Sequence, residues 1–205
     1  MTKPDWWPSW EGETVVLVAS GPSAKDVPID LARDRTKVIA INTSWQLVPW
    51  ADILFACDLA WWVGAGGCSE FNGLKLTIDK TAAKRFGLGY VHCQKPDDRL
   101  FLEPLNTVGW GGNSGFHCLN LAVQFGCSKI ILVGYDMTVS HGLHWHGRHP
   151  DGMNNPKAGS VARWCRAVDA AAKVIDPLGV KVINCSPISA LQKYPKMTLK
   201  EALSA

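Results

Sequence analysis

Five short apolar runs, none alternating with polar residues, most constrain what this chain can fold into. They are residues 14–19 (TVVLVA), Lys37–Ile41 (KVIAI), residues 52–56 (DILFA), Lys129–Val133 (KIILV) and residues 180–184 (VKVIN), each closed by Gly, Ser, Asn or Asp. A strand with one wet face alternates, whereas a β-branched run without alternation suits a parallel strand covered on both faces. Helical patterns separate some of the runs. Residues 114–125 put Phe116, Leu119 and Val123 on one broad face, with Ser114 read as the N-cap and Gly126 as the terminating glycine. Residues 157–178 carry Val161, Trp164, Val168, Ala171 and Ile175 along a stripe that stops at Gly179. Strands alternating with helices predict an α/β fold, Rossmann-like, with a mostly parallel sheet and helices on both faces.

At 205 residues the chain fits a single nucleotide-binding domain over 1–205, and 47% hydrophobic against 19% charged residues is enough to bury a core. Two stretches break the strand–helix rhythm. Residues 59–112, rich in Gly, Pro and Trp, read as an insertion with one further strand at 88–93, and residues 137–157 read as a lid loop, His-rich and lying at the carboxyl edge. The formal charge of +3 is too small to indicate nucleic acid or a membrane surface as partner. Seven scattered cysteines without a C-x-x-C pair read as small buried hydrophobes of a reducing compartment. No secretory pattern opens the chain, and no run approaches the roughly eighteen apolar residues of a membrane span, so a soluble, cytoplasmic protein is expected. Ten tryptophans is a high count, and those at 6, 7 and 10 suit either the core or a partner; an oligomer is compatible with this composition.

Residues that carry chemistry gather at the strand ends. Ser20-Gly21-Pro22-Ser23 follows the first run, where a glycine turn into a helix start points N–H groups at an anion. It is neither a Walker A loop nor G-x-G-x-x-G, so no NTPase or dinucleotide assignment follows. Gly109-Trp110-Gly111-Gly112-Asn113-Ser114-Gly115 lets backbone approach a ligand closely and then opens a helix, whose N-terminus favours negative charge. Asn42, Asp58 and Asp136 each follow a strand, which is where open α/β sheets bind ligands. Four of the six histidines, His141, His144, His146 and His149, fall within one loop. General acid/base work or phosphate contact is the leading reading, ahead of a solvated loop and of a metal, because the spacing matches no standard zinc motif and no cysteine is near. Arg148 and Lys157 can add positive charge to an anion pocket.

In this order, Gly21-Pro22-Ser23, Asn42, Asp58, Ser114-Gly115, Leu132-Val133-Gly134-Tyr135-Asp136 and the late Asn184-Cys185-Ser186-Pro187 resemble the bacterial sialyltransferases of glycosyltransferase family 42 and the related DUF115 group. That group includes motility-accessory-factor glycosyltransferases and archaeal hydroxymethylpterin pyrophosphokinases, and small phage-encoded proteins with an H-W-H-G-type loop share the pattern. The likeness covers residues 14–58 and 107–195, and Ser20 stands where those enzymes carry Asn. It implies a nucleotide-sugar donor of the CMP-sugar type across the sheet's carboxyl edge and an acceptor of unassigned kind. The Gly-Pro-Ser turn and Asn42 hold the donor, Ser114 meets phosphate, and His146 or His149 is the base, with no metal or other cofactor required. An Mg-dependent pyrophosphokinase using ATP, with Asp58 and Asp136 as ligands, is the enzyme alternative, and a non-catalytic nucleotide-binding or sequestering protein is the other.

Overall fold

A computed structural model describes residues 3–150 and 153–205. Its strands are β1 (Thr14–Val18), β2 (Lys37–Ile41), β3 (Ile53–Phe55), β4 (Leu74–Thr77), β5 (Gly89–Tyr90), β6 (His92–Gln94), β7 (Thr107–Gly109), β8 (Lys129–Val133) and β9 (Lys181–Asn184). The helices are α1 (Leu59–Gly64), α2 (Lys80–Phe86), α3 (Ser114–Gln124), α4 (Ala158–Ile175) and α5 (Leu199–Ser204). Seven strands make one parallel sheet in the order β5-β4-β3-β2-β1-β8-β9. The Rossmann-like α/β expectation is met.

Both faces of the sheet are covered, which is why its strands do not alternate in sequence. Val15, Leu17, Ile39, Ile53 and Phe55 pack on one face with Phe116 and Leu119 of α3 and Val168 and Ile175 of α4. The intervening residues Val16, Val18, Val38, Ala40 and Leu54 pack on the other with Trp61 and Trp62 of α1, Ala82 of α2 and Leu199 of α5. Trp7 and Trp10 set their edges against Phe125, so this part of the N-terminal tryptophan cluster is used at home.

The structure departs from expectation where connections are short or strands half-covered. Both early crossovers carry only 3₁₀ turns, Pro22–Asp26 and Ile29–Ala32 after β1 and Asn42–Gln46 after β2. Residues 59–112, expected as an insertion, supply β4 and β5 to the main sheet and β6 and β7 to a small parallel ladder of their own. The strand expected at 88–93 is divided between those two sheets. The cap of α3 is Asn113, whose Oδ1 accepts from the Phe116 N–H at 2.9 Å, with Ser114 as the first helical residue. Among the described residues no helix is long and apolar enough to cross a membrane.

The chain runs from β1 outward through β2 to β5 and then returns to place β8 on the other side of β1. That reversal makes the carboxyl ends of β1 and β8 the switch point, where open α/β sheets form a crevice. Buried Asn120 of α3 positions one wall of it. Its Oδ1 accepts from the N–H groups of Phe101 (3.0 Å) and Gly109 (3.2 Å), and its Nδ2 donates to the Phe101 carbonyl (2.6 Å). The near-isosteric Asn120→Leu should therefore orphan the buried Gly109 N–H and the part-buried Phe101 N–H and cost about 2–5 kcal/mol, measured by urea unfolding. A loss below about 0.5 kcal/mol would show that this side chain does not hold the glycine-rich segment to the helix.

Candidate active site

Two turns meet at the switch point so tightly that neither tolerates a side chain. The Gly21 N–H donates to the Gly134 carbonyl at 3.0 Å. A Cβ on Gly21 would lie 2.4 Å from that carbonyl oxygen and 2.7 Å from the Asp136 carboxylate carbon. Gly134 has φ +71°, and a Cβ there would meet the Ala19 carbonyl oxygen at 2.4 Å. Asp136 locks the junction, one oxygen accepting from the Ser23 N–H at 2.9 Å and the other from the Ser23 hydroxyl. The turn after β1, expected to offer its amides to an anion, thus engages the Gly21 and Ser23 N–H groups in hydrogen bonds within the fold. Gly21→Ala should lower stability by roughly 1–3 kcal/mol in urea melts, through forced separation of the two turns. Wild-type stability in that variant would show that the turns can move apart freely.

A cavity of about 630 Å³ opens above this junction. Ser20, Gly21, Asn42, Asp58 and Asp136 line it from the strand ends, and Asn113, Ser114 and Gly115 from the start of α3. Of the expected site residues, His149 also faces it, while Pro22, Ser23 and His146 lie outside its lining. Asn42 has φ +52°, a left-handed conformation that Asn adopts more readily than most residues. The Ser114 and Gly115 amides are the first two of α3 and have no intrahelical acceptor, so the positive end of an eleven-residue helix meets the cavity. Lys157, immediately before α4, lines it too. Burial raises the Asp58 pKa, against the pull of Lys95.

A thiol–imidazole pair on the same wall was missed because its members lie sixty positions apart inside apolar runs. The Nε2 of buried His117 sits 2.7 Å from the Trp110 carbonyl, which can only accept, so Nε2 carries the proton. Nδ1 is then free to accept from the Cys57 thiol at 3.1 Å, and the Ser114 hydroxyl donates to the same sulfur at 3.1 Å. Burial pushes the Cys57 thiol up and His117 down to about 4, so both groups are neutral and the cysteine is not an activated nucleophile. Because His117 binds its proton less readily folded than unfolded, the stability it contributes is complete above about 6.5 and is lost as pH falls toward about 4. A fully buried shift of this size is worth on the order of 3 kcal/mol. Wild-type unfolding free energy should drop across that window, and His117→Gln should flatten the drop; identical slopes would contradict this.

The His-rich loop lies across the carboxyl edge, pinned by Trp145. The Trp145 N–H donates to the Ser20 carbonyl at 3.1 Å, and its indole Nε1 donates to the Ser44 hydroxyl at 3.2 Å. A bond from the Gly147 N–H to the His144 carbonyl (3.0 Å) turns the chain, and Asn155 brackets the backbone of His149 at both N–H and carbonyl. The rings of His144 and His146 stack with centroids 4.9 Å apart, and His149 stands 4.5 and 4.9 Å from them. Burial, and then repulsion from the other two rings, lowers His144 to about 4; burial likewise lowers His146 and His149.

No family profile matches this sequence, and no curated protein matches it. Solved structures do, and what they share with this chain is a Rossmann-like α/β fold. The sialyltransferase CstII of Campylobacter jejuni, solved with the substrate analogue cytidine-5'-monophosphate, superposes with a TM-score of 0.57 at 13% identity, over 92% of this chain and 86% of that one. The sialyltransferase CST-II with a trisaccharide acceptor and CMP gives 0.56 at 13% identity, over 91% and 86%. CstII with CMP-3FNeuAc gives 0.53 at 12% identity, again over 91% and 86%. At such identity the likeness is one of fold.

Proposed function

We propose that this protein binds a nucleotide-activated sugar, of the CMP-sugar type, in the switch-point cavity and transfers the sugar to an acceptor hydroxyl. The observation that carries this reading is the unpartnered start of α3, with the Ser114 and Gly115 amides on the cavity beside Asn42 and Lys157. Those groups suit a nucleotide phosphate, since helix N-terminal amides and a lysine stabilise charge that grows on a departing phosphate oxygen. The sialyltransferase structures of similar fold that were solved with CMP support the choice of nucleotide.

Within this reading the donor phosphate rests on α3, and Ser20 and Asn42 face it from the ends of β1 and β2. His149, which lines the cavity where His146 does not, takes the acceptor's proton. The pyrophosphokinase alternative gains nothing from Asp136, because both its carboxylate oxygens are engaged by Ser23.

Calorimetric titration with CMP tests the binding half. Asn42→Asp keeps a side chain that tolerates the left-handed backbone but faces phosphate with a negative charge, and Lys157→Met removes a positive one. Each should weaken CMP by roughly tenfold, and unchanged affinity in both would remove the cavity as the nucleotide site. With a donor and acceptor in hand, His149→Ala should lower kcat by about 10²–10⁴-fold while donor affinity holds. Full turnover by that variant would reassign the base.

A further inference from the structure

We propose that His144, His146 and His149 form a three-imidazole site for a divalent transition ion, zinc foremost, with its open coordination position toward the cavity. Among the described residues these are the His, Cys, Asp or Glu side chains that converge in a group of three or more. One ring nitrogen from each lies within 4.8 Å of the others. A tetrahedral zinc, with Zn–N of about 2.0–2.1 Å, spaces its nitrogens by roughly 3.3 Å, so small ring rotations close the set.

A second, independent observation points the same way. The Nε2 atoms of His144 and His146 are buried and have no hydrogen-bond partner. Buried ring nitrogens normally find one, and two side by side without any are explained by a ligand that both can hold. A cation is the ligand that three imidazoles share, because each neutral ring offers it a lone pair.

The loop is built to hold this shape. The Gly147-to-His144 turn sets the first two rings face to face, Asn155 fixes the backbone of His149, and Trp145 anchors the whole to Ser20 and Ser44. An all-nitrogen set suits zinc, cobalt, nickel or copper and disfavours magnesium or calcium, which take oxygen. Three histidines with a fourth position open match reactive zinc sites, whereas closed four-ligand sets are structural. Spacing alone ranks a metal behind acid/base work in this loop, and it is the convergence of the three rings that reverses the order.

His144 and His149 line the same cavity, so an ion held by the three rings would stand at its edge. An ion held by the three rings would engage the ring nitrogen of His149 and would supply Lewis acidity at the cavity edge; with the site empty, His149 keeps the role of base given above. The ion site itself does not rest on the transferase reading: the groups given to the phosphate are Ser114, Gly115, Asn42 and Lys157, and His149 alone is shared with that reading.

Tag-free protein stripped with a chelator is titrated with zinc chloride by calorimetry and with cobalt chloride by visible absorption. The expected result is one ion per chain and a cobalt spectrum of low-coordinate type. His144→Ala and His146→Ala should each weaken zinc by about a hundredfold or more, since even outer-shell losses cost roughly 10–100-fold. His141→Ala, outside the cluster, should bind as wild type does, and far-UV circular dichroism checks the fold of every variant. No saturable binding, or affinity kept within twofold in both folded cluster variants, overturns the site. CMP titration of the same stripped protein separates the two proposals, because a lost nucleotide site and a lost ion site are read in different measurements.

Discussion

The close approach of Gly21 to Gly134 is the constraint on which the rest of the site depends. Their bond joins the turns after β1 and β8, and the absence of both Cβ atoms lets the backbones meet. With the turns in contact, Asp136 reaches Ser23, Ser20 reaches Ser44 and the Ile41 carbonyl, and Ser20 offers its own carbonyl to Trp145. Strand ends, first turn and histidine loop thus form one hydrogen-bonded unit. The polar groups that look most ligand-like in the sequence are largely the fastening of that unit, and the ligand-facing groups are those it leaves over.

What the fastening leaves over is electropositive on one side and imidazole-rich on the other. The start of α3 and Lys157 supply the first, and His144 and His149 the second, with Asp58 between the strand end and α1. The cavity can therefore seat a phosphate-bearing ligand beside a group that handles protons or metal without competition for the same atoms. The thiol–imidazole pair of Cys57 and His117 lies behind the helix start and ties Ser114 to the segment just after β3 through neutral hydrogen bonds, so it shapes the anion end without adding charge to it.

Much of the fold was legible in the sequence because burial on both faces writes itself as unalternating apolar runs. Lys37–Ile41 and Lys129–Val133 coincide with β2 and β8, and α3 and α4 lie within a few residues of their predicted spans. What escaped were elements whose stability comes from tertiary neighbours. The strand β4 is only half-buried, β5 has two residues, and α1 and α5 have six each, too short for helical periodicity to register. The site divided in the same way. Positions at strand ends were findable, but whether Ser23 faces ligand or Asp136 depends on a contact 113 residues away. Likewise His117 and Cys57 are invisible as a pair until the sheet brings them together, and the spacing of 144, 146 and 149 hides how a glycine turn stacks the rings.

The central claim is that the switch-point cavity, and specifically the free end of α3, holds a nucleotide phosphate. A crystal structure of the protein grown with CMP tests it most directly. The account predicts phosphate oxygens within about 2.7–3.2 Å of the Ser114 and Gly115 amide nitrogens, with Asn42 and Lys157 alongside. Well-ordered CMP bound elsewhere on the protein, with this cavity filled only by solvent, would contradict it.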